Sequence, residues 1–108
     1  MSPDRLFQLQ ALIERFPDDE LLWFSLGLEL AKAERWEEAA QALEKAIHLR
    51  RAYTTAYREL GKAYFRLGNK NAAQRIFEQG LLIAEETGDL QVKKEITVLL
   101  RRCEESAG

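Results

Sequence analysis

The sequence predicts an all-α fold of about six helices, arranged as antiparallel helical hairpins stacked side by side. Three observations carry this. Helix formers dominate, and the 108 residues hold only two prolines and six glycines. No stretch alternates apolar and polar residues long enough to suggest a sheet. Residues 20–53 can be laid over residues 54–87: Trp23-x-x-Leu26-Gly27-x-x-Leu30 matches Tyr57-x-x-Leu60-Gly61-x-x-Tyr64. Further on, Ala39-x-x-x-Leu43 and Ala46 match Ala73-x-x-x-Phe77 and Gly80, each pair 34 apart. Self-similarity at one fixed period is the signature of a solenoid built from helix pairs.

Taken in order, residues 3–16 form a leading helix. Ser2-Pro3 supplies a cap and a first-turn proline, and Leu6, Leu9, Leu12, Ile13 and Phe16 supply an apolar face. The acidic run Asp18-Asp19-Glu20 suits the positive end of the next helix. In residues 20–53, Trp23, Leu26, Gly27 and Leu30 share one face. Glycine in mid-helix costs about 1 kcal/mol against alanine, so Gly27 and Gly61 make sense where a second helix comes close. Ala39 and Ala73 are then the small residues on the approaching helix, with Leu43 and Phe77 filling the space beside them. The turns inside the hairpins fall near Glu34-Arg35 and at Gly68-Asn69. Thr87-Gly88-Asp89 ends the second hairpin of residues 54–87. A capping helix over residues 89–105 follows, with Val92, Ile96, Leu99, Leu100 and Cys103 on one face and Lys93, Lys94, Arg101 and Arg102 elsewhere.

The period and the Trp-Leu-Gly-Leu and Ala-Leu/Phe-Ala patterns resemble the tetratricopeptide repeat (TPR) family. The family pattern ends each repeat with proline, whereas Arg51 and Glu85 stand at those places here; one further step back lands on Pro17, which fits. The resemblance implies a right-handed superhelix and a single domain over residues 1–108. It further implies a leading half-repeat, two full repeats, and a concave groove lined by the first helix of each pair. It also implies a non-catalytic module that binds another protein or a peptide.

Composition agrees with that class. The net charge of -2 gives no global case for nucleic acid or membranes, and the longest apolar run, Leu21 to Phe24, is far short of a membrane helix. Arg50, Arg51, Arg58, Lys62, Arg66, Lys70 and Arg75 are spread over three helices and their turns, so no nucleic-acid partner is expected. A single cysteine and no signal-like segment suggest a cytoplasmic protein. His48 reads as a helix-terminus residue and Cys103 as a structural one. No metal or cofactor is expected, because neither a converging ligand set nor a glycine-rich phosphate loop is present.

The candidate partner-binding residues are Phe24, Leu28, Arg58, Lys62, Phe65 and Arg66. Phe24 and Leu28 either line the groove or lie buried under a terminal helix. Arg58, Lys62 and Arg66, at four-residue spacing, are either a contact stripe or a solvated face. Glu59 is expected to weaken the stripe little, since neighbouring helical residues point to different faces. Residues 1–47 carry five basic and ten acidic side chains, and residues 48–80 carry seven and two. An acidic partner would therefore be steered to the second repeat. The full set of Lys, Arg and Asn side chains with which some family members hold a carboxylate is missing. The alternative function is homo-oligomeric assembly through the apolar groove surface, with a homodimer as its simplest form.

Overall fold

The computed structural model describes residues 3–106, with side chains from Arg5 onward. Six helices follow one another: α1 (Pro3–Arg15), α2 (Glu20–Lys32), α3 (Trp36–Leu49), α4 (Thr54–Arg66), α5 (Lys70–Thr87) and α6 (Leu90–Glu105). The described residues contain no strand. Ser2, the expected cap of α1, lies outside the described residues. Each helix packs on its sequence neighbours, and α4 also meets α2 and α6. The stack measures 40 × 30 × 19 Å.

Local chemistry explains where the helices stop and start. Asp19 caps α2, accepting hydrogen bonds from the backbone N–H of Leu21 and Leu22. Asn69 accepts from Ala72 N–H at the start of α5, and Asp89 accepts from Val92 N–H at the start of α6. The α2–α3 turn passes through Glu34 at φ 59°, and the α4–α5 turn through Gly68 at φ 79°. The left-handed conformation costs glycine nothing and strains most other residues. Gly88, at φ 75°, closes α5 in the same way and leaves only Asp89 before α6.

The core runs along the stack as three contiguous groups. Leu6, Leu9 and Ile13 of α1 pack with Leu26 and Leu30 of α2 and with Ala39 and Ala42 of α3. Ala40 and Leu43 of α3 join Leu60 and Ala63 of α4 in the middle. Tyr57, Ala73, Phe77, Ile83, Val92, Ile96 and Cys103 fill the C-terminal end. Cys103 is fully buried and His48 is exposed in the last turn of α3.

The mid-helix glycines have the close neighbours expected of them, but alanine is not the main one. A Cβ on Gly27 would lie 2.7 Å from Leu43 Cγ, and one on Gly61 would lie 2.1 Å from Phe77 Cε1. It is therefore the large side chain, rather than Ala39 or Ala73, that fills the notch over the glycine. Gly80 does the same work one helix later: a Cβ there would meet Tyr57 and Ile96, both at 2.8 Å.

The apolar face expected of α1 is only partly buried. Leu6, Leu9 and Ile13 are covered, whereas Leu12 and Phe16 are 40% and 49% exposed. The physical reason is that α1 stands at the end of the stack and, among the described residues, has neighbouring helices on one side alone, which cannot cover so wide a stripe.

Candidate functional site

The expected contact residues on α4 follow from its two faces. Tyr57, Leu60 and Gly61 turn inward and are buried. Arg58, Lys62, Phe65 and Arg66 therefore emerge on the opposite side, with Lys62, Phe65 and Arg66 exposed and Arg58 half-buried. Across from them, α6 presents Glu95, Val98, Leu99 and Arg102, a stripe at helical spacing.

Between these helices lies a recess of about 270 Å3, lined by Trp36, Lys62, Phe65, Arg66, Phe77, Leu99 and Arg102. Trp36, Phe65, Phe77 and Leu99 make it apolar, and three cations stand around it. Arg66 lies over the Trp36 ring, 4.9 Å from its centroid, a cation–π contact that holds the guanidinium at the edge. A second hollow of about 460 Å3 adjoins the first, sharing Lys62 and Leu99 and adding Arg58, Glu59, Glu95 and Val98. Together they form a trough along α4 and α6.

The basic stripe is not uniform. Arg58 Nε donates to Glu59 Oε2 at 2.8 Å, and Arg58 Nη1 donates to Glu95 Oε1 at 2.6 Å. That corrects the expectation about Glu59: the two neighbours do leave the helix in different directions, but both side chains are long enough to meet. The hydrogen bond from Arg58 holds the Glu95 carboxyl below the usual carboxylate range. Lys62 and Arg66 are less engaged. Lys62 Nζ approaches Glu59 at 3.4 Å, and Arg66 Nη2 approaches Glu34 at 3.5 Å. Arg102 forms no ion pair among the described residues.

Phe24 and Leu28 occupy the places on α2 that Arg58 and Lys62 occupy on α4, and neither lines the recess. Both are half-buried. The Phe24 ring stacks at 4.7 Å on Tyr53, at a 33° tilt, and packs against the middle core group. Its cover thus comes from the residue ahead of α4 and not from a terminal helix.

Comparison with known proteins agrees with this architecture. A family profile described as TPR repeat matches residues 27–68, and one described as tetratricopeptide repeat matches residues 54–87. A TPR repeat-containing protein of Pseudomonas aeruginosa is 35% identical over 94 residues, which span 87% of this chain and 90% of that protein. The chain belongs to the tetratricopeptide repeat family. Among solved TPR-like structures, a protein from Bordetella parapertussis is 34% identical. It superimposes with a TM-score of 0.82 over 93% of this chain and 87% of that one. The TPR2B domain of yeast Sti1, solved as a complex with pHsp70, superimposes with a TM-score of 0.90. It covers 95% of this chain and 82% of that one at 20% identity, a likeness of fold.

Within this TPR fold the structure brings together Lys62, Phe65 and Arg66, and places Arg58 beside them. Sequence reasoning missed Trp36, Leu99 and Arg102. The α4 and α6 starts are 36 residues apart, whereas those of α2 and α4 are 34 apart. A search at the shorter step therefore does not pair Arg66 with Arg102. The usable signal was the three-residue step from Leu99 to Arg102, which puts the two on adjoining positions of one helix surface. Among the described residues, no group of three or more His, Cys, Asp or Glu is placed to hold a metal. Among the described residues, no helix is long and apolar enough to cross a membrane.

Proposed function

We propose that this TPR domain is a non-catalytic interaction module that binds an acidic peptide segment of another protein in the trough between α4 and α6. The observation that carries the reading is the recess with an apolar lining and a rim of Lys62, Arg66 and Arg102. Apolar burial supplies the attraction, and the cations select for negative charge and speed encounter. Phe24 and Leu28 lie outside the recess, and Arg58 joins the cationic end once a ligand carboxylate competes with Glu95. The pHsp70 complex of the Sti1 domain is consistent with this reading, since a TPR domain of the same shape there holds a protein partner.

The test is a display selection of random peptides on the immobilised protein, followed by fluorescence anisotropy of those recovered. Acidic sequences should be enriched and should bind more weakly as salt rises. The Lys62→Glu/Arg66→Glu variant should lose about tenfold or more in affinity. Recovery of no peptide, or equal binding by both proteins, would overturn the reading.

A second reading is self-assembly. Phe7, Leu12, Phe16 and Leu21 are exposed at the α1 end, with Phe7 at 72%, and such a patch suits a second copy. Light scattering that finds a monomer at every concentration would remove it.

A further inference from the structure

We infer that the recess seats one bulky apolar side chain of the acidic peptide, and that α6 supplies half of that seat through Leu99 and Arg102. The inference rests on the peptide reading above and gives it a ligand grammar: an apolar anchor with carboxylates on both sides.

Shape and size suit an anchor: at about 270 Å3 the recess has room for a large apolar side chain, and it opens into the longer trough along which a peptide would run. Its lining fits the same occupant. Trp36, Phe65, Phe77 and Leu99 offer an apolar ligand group four apolar partners from four different helices.

Charge decides what flanks the anchor. The three rim cations come from two helices, Lys62 and Arg66 from α4 and Arg102 from α6, so carboxylates on either side of the anchor each find a partner. Arg58 is already paired with Glu59 and Glu95 at hydrogen-bonding distance. Lys62 and Arg66 have only contacts of 3.4 and 3.5 Å to give up. Stacking on Trp36 orders the Arg66 guanidinium before binding, which lowers the entropic cost of using it. A helix that served only as a lid over the core would need Leu99 but not the cation three residues later at the mouth of the recess.

The experiment uses three labelled synthetic peptides: Asp-Glu-Glu-Leu-Glu-Glu-Asp, the same with Ala for Leu, and the Leu peptide with Asn and Gln in place of its acids. Anisotropy is read on the full chain. The Leu peptide should bind about thirtyfold more tightly than the Ala peptide, the ratio expected for burying one large apolar side chain. The neutral peptide should also be weaker than the Leu peptide. Arg102→Gln should lower affinity for the Leu peptide by about tenfold. Arg101→Gln, with the same change of charge one residue away and exposed, should leave it unaltered. Leu99→Ala should narrow the gap between Leu and Ala peptides; because it trims a half-buried residue, its folding is checked by thermal melting and the arginine pair carries the test alone if it melts early. Equal affinity for Leu and Ala peptides, or equal loss in both arginine variants, overturns the anchor and its α6 half while acidic-peptide binding stands. No binding by any acidic peptide, including those from the selection, removes the anchor together with the function beneath it.

Discussion

In the first hairpin Gly27 faces Leu43, and in the second Gly61 faces Phe77. The two interiors repeat one solution, a notch in the leading helix filled by a large side chain of the returning one. Their outer faces do not repeat. Phe24 on α2 is covered by the Tyr53 ring, while Arg58 on α4 is held by Glu95 of α6. Ala31 and Lys32 answer to Phe65 and Arg66. Stacking constrains only what touches the next helix. The hollow side is left to differ, and in this chain the difference puts the recess on the second repeat.

The sharpest way to break the likeness of the interiors is to empty the two notches in turn. Phe77 and Leu43 are both essentially unexposed. Phe77→Ala should cost about 3–5 kcal/mol and Leu43→Ala about 2–5 kcal/mol. Either is a large share of the roughly 5–15 kcal/mol that holds a domain folded. Urea unfolding followed by circular dichroism measures both. A loss below about 1 kcal/mol at Phe77 would mean that the second notch is not what holds α4 to α5.

Filling the notches from the other side separates the repeats more finely. Alanine gains about 1 kcal/mol of helix propensity over glycine, and overpacking costs about 1–3 kcal/mol. On Gly61 the new methyl would meet the edge of a rigid, buried ring at 2.1 Å; on Gly27 it would meet the Leu43 branch at 2.7 Å. Gly61→Ala should therefore destabilise by about 2 kcal/mol and Gly27→Ala by about 1 kcal/mol or less. Combining Gly61→Ala with Phe77→Leu should recover part of the loss, since the two changes share one space.

How much of this was legible follows the same division. Residues that pack against a neighbouring helix leave a periodic trace, so Gly27, Gly61, Leu43 and Phe77 were readable as packing residues, whereas the side chain that fills each notch, Leu43 or Phe77 rather than Ala39 or Ala73, was not. The α4–α5 turn was readable because glycine suits the left-handed backbone that Gly68 adopts, whereas the α2–α3 turn puts Glu34 in that conformation with no glycine to mark it. Of the residues that line the recess, Lys62, Phe65 and Arg66 lie on a repeated helix and were readable as its outer face. The recess's other walls come from Trp36 at a helix start and from Leu99 and Arg102 on the cap, a helix that does not repeat the Leu-Gly pair. The reach of Glu59 to Arg58 was hidden for another reason. Helical spacing places Cβ atoms, and long charged side chains bend well beyond them.

On the surface the effects shrink and the contrast inverts. Phe24→Ala removes a half-buried ring from Tyr53 and the middle core group, and should cost about 1.5 kcal/mol. Lys62→Ala, at the matching place on α4, gives up one exposed ion pair and should stay within about 0.5 kcal/mol. Thermal melting compares them. If Lys62→Ala costs as much as Phe24→Ala, its side chain holds the fold rather than awaiting a ligand.

The finest comparison, a difference in pH dependence, sets the caps of α5 and α6 side by side. Asn69 Oδ1 accepts from Ala72 N–H, and Asp89 Oδ1 accepts from Val92 N–H, both at 3.1 Å. Only Asp89 is ionisable, and Thr54 Oγ1 also donates to its Oδ2 at 2.6 Å. That bond, then the Val92 N–H, holds the Asp89 carboxyl below its ordinary range. A carboxyl depressed in the folded state favours folding above its unfolded pKa, about 3.9. The contribution fades as pH falls through that value towards the folded one. Removing either cap by alanine should cost about 1 kcal/mol at neutral pH. At about pH 3 the Asp89→Ala penalty should shrink while the Asn69→Ala penalty holds, because only the first cap gains a proton. Asp89→Asn separates the charge from the geometry: it keeps a good capping oxygen, so its deficit against wild type at neutral pH should narrow on acidification. Urea midpoints at the two pH values measure all three variants, and parallel curves for Asp89→Asn and wild type would show that the Thr54 and Val92 bonds do not depend on the charge.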